Sequence, residues 1–327
     1  MKWTDKPWVL APLAVLAALV LQGCDEAPME QTTSEPKAKS LVIHHNLGTT
    51  EISSTPERVA VLDMNEADFL DQLEVPIAGM VKDYVPHFLA AYGADSDVQD
   101  LGAITQPNLE RIYALKPDLI LMTPIQAAQY DDLSELAPTL HFDVDFRDSH
   151  GDHIGDVTEH LLLLGKLFDK EKLAESKAEE LKAKVEAVHQ VTEGRPETAL
   201  IVMHNNGSFS SFGTRSRYGF VFDSLGVKPA SRIADNSLHG QPVSSEFIHQ
   251  ANPDILYIID RTAVMERRPV MRADQMSNPL LRETKAWKNG NVVFVDADAW
   301  YITAASVTSL ELLMDDVIKG YRSSPSG

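Results

Sequence analysis

The chain has 327 residues, with 48 Asp and Glu against 29 Lys and Arg, and a formal net charge of -19 with histidine neutral. Nucleic-acid backbones are bound by clustered Lys and Arg, so this balance excludes a nucleic-acid partner and favours solubility. Any anionic ligand has to be caught by local arginines against an unfavourable overall field.

The first residues, "MKWTDKPW", carry Lys2 and Lys6 and lead into the apolar run "VLAPLAVLAALVL" and then "LQGC". This is the order of a signal peptide: basic region, apolar region, small residues before a cleavage point. The run is shorter than the roughly 20 apolar residues that a membrane span requires. Leu21 to Cys24 fit a bacterial lipoprotein box, with cleavage before Cys24 and lipid attached to its sulfur. Cys24 is the only cysteine, so once lipidated it leaves no thiol for a disulfide. Asp25 follows, as in lipoproteins held at the inner membrane of Gram-negative cells. Residues 24–40, "CDEAPMEQTTSEPKAKS", are polar, proline-containing and free of aromatics, which reads as a flexible tether.

The remaining length is enough for two compact lobes. In the first, residues 41–150, "RVAVLD" reads as a buried strand. "EADFLDQL" places Ala67, Leu70 and Leu73 on one helical face, and "IAGMV" is a second strand. "NLERIYALKPDLILM" is a helix ending before Pro117, then a strand from Leu119 to Met122. Strands alternating with helices predict βαβ units and a mainly parallel sheet. In residues 151–194, Val157, His160, Leu161, Leu164 and Phe168 form one helical stripe. Asp169 is placed to cap a second helix carrying Leu173, Leu181, Val185 and Val188. The lobe at 195–327 repeats the first pattern through "TALIVMH", "EFIHQANPDILYIID" and "NVVFVD". "ALKPDLILM" is echoed by "QANPDILYI": helix, Pro-Asp, strand. The fold class is therefore α/β, with two Rossmann-like lobes, one long rigid helix joining them, and a ligand cleft between.

No G-x-S-x-G, P-loop or H-E-x-x-H motif is present. "RDSHGDHIGD" has the residue types of a metal site and equally those of a polar linker entering a helix. His239, in "SLHGQPV", is open to two readings, a loop histidine bonded to its neighbours or a metal ligand.

Together, "ERVAVLDMNEADFLDQL", "PNLERIYALKPDLILM", "FGTRSRYGFVFDSLGVKP", "LHGQPVSSEFI", "NPDILYIIDR" and "TKAWKNGNVVFVDADAWYI" resemble the class III substrate-binding proteins of ABC transporters, from about Val59 to Tyr321. The similarity is greatest to the subgroup that binds ferric catecholate siderophores of the enterobactin and vibriobactin type. This resemblance implies a monomeric binding protein and not an enzyme, with no tightly bound cofactor. The transported ligand would be Fe(III)-siderophore, and the partner the permease subunits of an importer in the inner membrane, with the protein periplasmic and anchored through Cys24. It implies that Arg217 and Arg261 bind the anionic complex. His239 and Tyr301 would complete the iron shell where the siderophore supplies only four donors. Asp68 and Asp223, with Glu66 as the rival of Asp68, would be presented to the permease. Ile125 stands where the subgroup often has an arginine; Lys82, Arg147 and His150 are candidates to supply that charge. Trp300, Trp287, Tyr218 and Phe209 are candidates to line the cleft. The alternatives are a haem or cobalamin binder of the same class, or a metal-dependent enzyme or metal chaperone using "SHGDH". The donor chemistry suits ferric iron, a hard octahedral ion that phenolate oxygen satisfies and imidazole tolerates. Guanidinium suits an anionic catecholate complex by charge and by stacking.

Overall fold

The computed structural model describes residues 40–144, 152–233 and 237–322. The leader, Cys24, most of the tether, Arg147 and His150 lie outside the described residues. No described helix is long and apolar enough to cross a membrane.

The chain enters through a hairpin that sequence patterning did not anticipate, β1 (Leu41–His45) and β2 (Gly48–Ile52), paired antiparallel. Then come β3 (Val59–Val61), α1 (Met64–Gln72), β4 (Gly79–Met80), α2 (Ala90–Ala94) and β5 (Gln99–Asp100). A short antiparallel pair follows, β6 (Gly102–Ala103) with β7 (Gln106–Pro107). The first half closes with α3 (Leu109–Leu115), β8 (Leu119–Met122), α4 (Tyr130–Leu136) and β9 (Thr139–His141). The five strands of its sheet lie in the order β5-β4-β3-β8-β9, all parallel. β3 and β8 are buried at every residue, as expected for strands covered on both faces.

Two helices connect the halves, α5 (His153–Leu167) and α6 (Glu171–Thr192). The stripe from Val157 to Phe168 is buried as the periodicity predicts. Asp169 does not cap α6. It lies in the left-handed region at φ +55° and accepts a hydrogen bond from Thr55, so Lys170 occupies the cap position. At 22 residues, α6 spans about 33 Å.

The second half holds β10 (Thr198–Asn205), β11 (Ser208–Phe212), α7 (Gly219–Asp223), β12 (Lys228–Pro229), β13 (Gln241–Val243), α8 (Ser245–Ala251) and β14 (Ile255–Asp260). It ends with α9 (Arg261–Glu266), α10 (Pro279–Arg282), α11 (Lys285–Lys288), β15 (Val292–Phe294) and α12 (Val307–Tyr321). Its sheet runs β13-β11-β10-β14-β15, with β12 also pairing β10. This sheet is mainly parallel, as expected, through the pairs β10–β12, β10–β14 and β14–β15; at one edge β11 is antiparallel to both β10 and β13. The reversal is made at Asn206 and Gly207, both at positive φ, the geometry that tight hairpins favour.

The internal repeat has a physical basis. α3 and α8 are each seven residues long and capped by a side chain, Asn108 or Ser244. Each stops at a left-handed residue, Lys116 or Asn252, immediately before proline. The aspartate that follows then clamps the start of the neighbouring parallel strand. Asp118 accepts from the amides of Glu57 and Arg58, and Asp254 from the amide and hydroxyl of Thr198.

One hydrophobic cluster runs from Ile43 to Tyr321 through both sheets and both connecting helices, and a smaller one covers the outer face of the second sheet. Helix α1 adds polar links across the halves. Asn65 Oδ1 accepts from the amide of Ala305 at 3.0 Å. Asp68 accepts from the amide and hydroxyl of Thr308 at 2.8 and 2.6 Å. Asp68 thereby takes one of the unpaired N–H groups at the start of α12, where a negative charge is also favoured.

Burial raises the Asp63 carboxyl to about 6 and the Asp68 carboxyl to about 6, in each case against the hydrogen bonds it receives. With folded values above the ordinary 3.8 of an aspartate carboxyl, the folded chain binds more protons than the unfolded one between pH 4 and 6. The contribution of these groups is therefore greatest below about pH 4 and is lost as pH rises through 6. Asp63→Asn keeps a good cap and is expected to flatten the fall in melting temperature between pH 4 and 6, a difference of roughly 2–3 kcal/mol. Parallel thermal melts of the two proteins across that range are the check; superimposable pH profiles would contradict it.

Candidate functional site

A cleft of about 670 Å³ opens at the carboxyl ends of strands in both sheets, where α/β folds place their ligands. The first half contributes the hairpin loop Asn46–Leu47, Tyr84, the exit of β8 at Pro124 to Ala127, and the exit of β9 at His141 to Val144. The second half contributes Arg217, Leu238, His239, Arg261, Met265, Tyr301 and Ile302. Arg217, His239, Arg261 and Tyr301, distant in sequence, thus come together on one wall.

Local structure aims each of them. Arg261 is the first residue of α9, directly after β14. Asp260 caps that helix from a fully buried position, accepting from the amides of Ala263 and Met271 and from Arg268. Burial opposes the charge of Asp260, but His204, these amides and Arg268 hold its carboxyl down at about 2. The acid is therefore committed below the helix start, and Arg261 points to the cleft with neutral partners. Its Nε donates to Tyr301 Oη at 2.7 Å, and its Nη1 to Asn205 Oδ1 at 3.1 Å. Its guanidinium lies 5.3 Å from the Tyr301 ring centre.

Tyr301 is carried by a π-helical turn, Asp298–Thr303, which ends at Ala304 with φ +69°. Wide turns of this kind are frequent at functional sites. The turn sends neighbours to opposite sides. Tyr301 reaches the cleft, while Trp300 is fully buried and donates to Asp316 at 3.1 Å. Tyr218 is buried too, its hydroxyl on the carbonyl of Trp300 at 2.6 Å. Phe209 and Trp287 pack in the outer cluster. None of the four lines the cleft, which corrects that expectation: each is claimed by the core. Arg217 is buried, 5.2 Å from the Tyr218 ring centre, with Nη2 3.4 Å from the carbonyl of Tyr301.

His239 precedes Gly240, whose φ is +73° and where a Cβ would meet the carbonyl of Ser211 at 2.8 Å. Only glycine allows the loop to lie so close on β11, and this seats His239 above Tyr301, ring centres 6.4 Å apart and 28° between planes. Partial burial, then the charges of Arg261 and Arg217, lower its pKa, so the imidazole keeps a free lone pair at neutral pH.

Ile125 lies on the cleft wall and is 38 % exposed, leaving that region apolar. Lys82 is not in this cleft; it faces an adjoining cavity and donates to the carbonyl of Asp95. Of the "SHGDH" residues described, His153 is buried, stacked on Phe220 and bonded to the carbonyl of Ala304 at 2.8 Å, as a packing residue. No group of three or more His, Cys, Asp or Glu side chains that could hold a metal ion occurs among the described residues.

The acids expected to face a partner divide. Asp223 is exposed on α7. Asp68 and Glu66 are fully buried, Asp68 spent on Thr308 and Glu66 on His160 Nε2 at 2.9 Å, so neither is presented at the surface. The repeat offers a better-matched pair: Glu110 and Glu246, each the second residue of its helix and each exposed. Sequence reasoning noticed the repeat and did not extend it back to these two. It also missed Tyr84, His141 and Asp143, whose signal was their place at or just after the end of a strand.

Residues 59–299 match the family described as periplasmic binding protein. The chain is 63 % identical over 315 residues to the ferric-anguibactin-binding protein FatB of Vibrio anguillarum, covering 96 % of this chain and 98 % of that one. It is 30 % identical over 320 residues to the petrobactin-binding protein YclQ of Bacillus subtilis, covering 96 % and 99 %. Among solved structures it is similar to the siderophore-binding protein BauB bound to two molecules of acinetobactin and ferric iron. That match has a TM-score of 0.84 and 63 % identity, over 87 % of this chain and 99 % of that one. The periplasmic catecholate-siderophore-binding protein VctP of Vibrio cholerae gives 0.79 and 30 % identity, over 85 % and 99 %. On the extent of the family match and of these identities, the chain belongs to the periplasmic binding protein family.

Proposed function

We propose that this protein captures a ferric catecholate siderophore and delivers it to the permease of an ABC importer. The observation that carries the reading is the convergence of Arg217, Arg261, His239 and Tyr301 on one wall of the cleft, with Arg261 held by a phenol and an amide and no carboxylate among its bonded partners. Two guanidiniums attract an anionic complex and can stack on its rings. FatB, YclQ, BauB and VctP, which are named for siderophores, support the same assignment. Capture and release require no covalent chemistry, so the protein is read as a binding protein and not an enzyme. Its parts are read as a signal peptide at 1–23, a tether at 24–40 anchored through lipid on Cys24 to the inner membrane, lobes at 41–150 and 195–327, and a connector at 151–194. It acts as a monomer.

His239 and Tyr301 are read as iron ligands for cargo that leaves two coordination positions open. The phenol must lose its proton to ligate Fe(III), and its oxygen already accepts from the Arg261 Nε–H at the cleft wall. Permease docking is read as falling to Glu110 and Glu246, at equivalent points of the two halves, with Asp223, the exposed acid first expected from sequence, as a further candidate.

Three outcomes are expected. Fluorescence quenching should report tight binding of ferric catecholates and not of haem, cobalamin or Zn²⁺, and Arg217→Ala or Arg261→Ala should each cost roughly 2–5 kcal/mol of affinity; unchanged affinity in both would remove them from the site. Tyr301→Phe and His239→Ala should shift the charge-transfer band and weaken a tetradentate complex, with affinity rising with pH in the unmodified protein, while leaving a hexadentate complex nearly unaffected. An equal loss for both complexes would make the two residues part of the cleft wall only. Glu110→Ala with Glu246→Ala should leave binding in solution intact and abolish uptake by cells, and uptake that persists would exclude this docking pair.

A further inference from the structure

The cleft is electrically polarised. Its two guanidiniums, Arg217 and Arg261, stand on the wall built by the second half. Among the described residues that line it, Asp143 is the one carboxylate, and it belongs to the wall built by the first half. A carboxylate in a site for an anionic complex weakens binding by repulsion to the extent that neither the protein nor the cargo pairs with it.

Asp143 is also set in place rather than loosely exposed. Its Oδ2 accepts from the amide of Asn46 at 2.8 Å, which ties it to the tip of the β1–β2 hairpin beside the cleft residue Leu47. Its Oδ1 is bonded to Nδ1 of His141, a side chain only 4 % exposed. An ionised carboxylate has about four acceptor directions, and these two bonds use one on each oxygen. The side chain is 31 % exposed and lines both this cleft and a second cavity beside it, so acceptor directions beyond these two bonds stay open. Around it the wall is apolar, with Leu47, Ile104, Ile125 and Val144, where a charged hydrogen bond is stronger than in water.

We infer that Asp143 is a specificity-determining residue that pairs with a protonated nitrogen base on the cargo. The cargo class is then a dipolar ferric complex: catecholate oxygens toward Arg217 and Arg261, and an ammonium, amidinium or azolium arm toward Asp143. This rests on the ferric-catecholate reading given above and narrows it. A tris-catecholate complex, with three negative charges and no basic arm, has nothing to pair with Asp143 and meets it as a repelling charge.

The test uses two synthetic ferric bis-catecholates, identical except that one arm ends in a primary amine and the other in a hydroxyl. Their affinities are measured by fluorescence quenching for the unmodified protein, Asp143→Asn and Asp143→Glu. The unmodified protein is expected to favour the amine complex by about tenfold or more. Asp143→Asn should erase that preference, mainly by weakening the amine complex. Asp143→Glu, which keeps the charge, should retain a preference. Equal binding of the two complexes by the unmodified protein overturns the inference whatever the variants do, as does a preference that survives in folded Asp143→Asn. If the unmodified protein binds neither complex and binds haem or cobalamin instead, the ferric-catecholate reading itself falls, and the inference with it.

Discussion

The geometry of the cleft depends on how one segment, residues 296–308, is held. It belongs to the second half by sequence, yet the first half and the connector grip it at several points. His87 donates its amide to Asp298 at 2.9 Å and pairs through its ring with Asp296 at 2.7 Å. His153, at the start of α5, bonds the carbonyl of Ala304, and Asn65 and Asp68 of α1 take the amides of Ala305 and Thr308. Between these anchors lies the π-helical turn that carries Tyr301. The phenol that partners Arg261 is thus positioned by residues from the opposite half. Burial lowers His153 to about 4, so this link is a neutral hydrogen bond throughout the physiological range.

This arrangement explains the chemistry of α1. Seven of its residues, Met64 to Leu70, are buried, including Asn65, Glu66 and Asp68. Polar groups are costly inside a protein unless bonded; here Asn65 and Asp68 bond the segment that carries Tyr301, and Glu66 bonds His160 of the connector. The stability given up by raising two carboxyl pKa values is balanced by a fixed relation between the halves. The repeated Pro-Asp turns act more locally, each pinning one strand to its parallel neighbour so that both sheets end their central strands at the cleft.

Much of this was legible in the sequence, and for identifiable reasons. Pro117 and Pro253 mark helix ends because proline cannot continue a helix, so both helix–strand units could be recognised and the strand Leu119–Met122 placed to the residue. Arg217, His239, Arg261 and Tyr301, which the structure places on one cleft wall, could be singled out because their flanking motifs are distinctive. What escaped depends on tertiary structure. A carboxylate on a short helix looks the same in sequence whether it faces water or Thr308, so Asp68 and Glu66 were read as surface acids. Trp300 and Tyr301 differ only in which way a widened turn throws them, and helical periodicity assumes a regular turn. β1, β2 and β11 carry too few alternating apolar residues to stand out. Asp169 has the composition of a cap, but the left-handed backbone after Phe168 moved the cap to Lys170.

The continuous core bears on the timing of capture. A binding protein that alternates between open and closed forms loses apparent affinity in proportion to the time spent open. Here apolar side chains run unbroken from one sheet to the other beneath the cleft, so the walls stand in place before cargo arrives and little of that loss is incurred. The same rigidity moves the difficulty to the end of the cycle. Cargo held by a preformed wall leaves slowly unless something external spreads the walls, and the work of emptying the cleft then falls on the machinery that receives it.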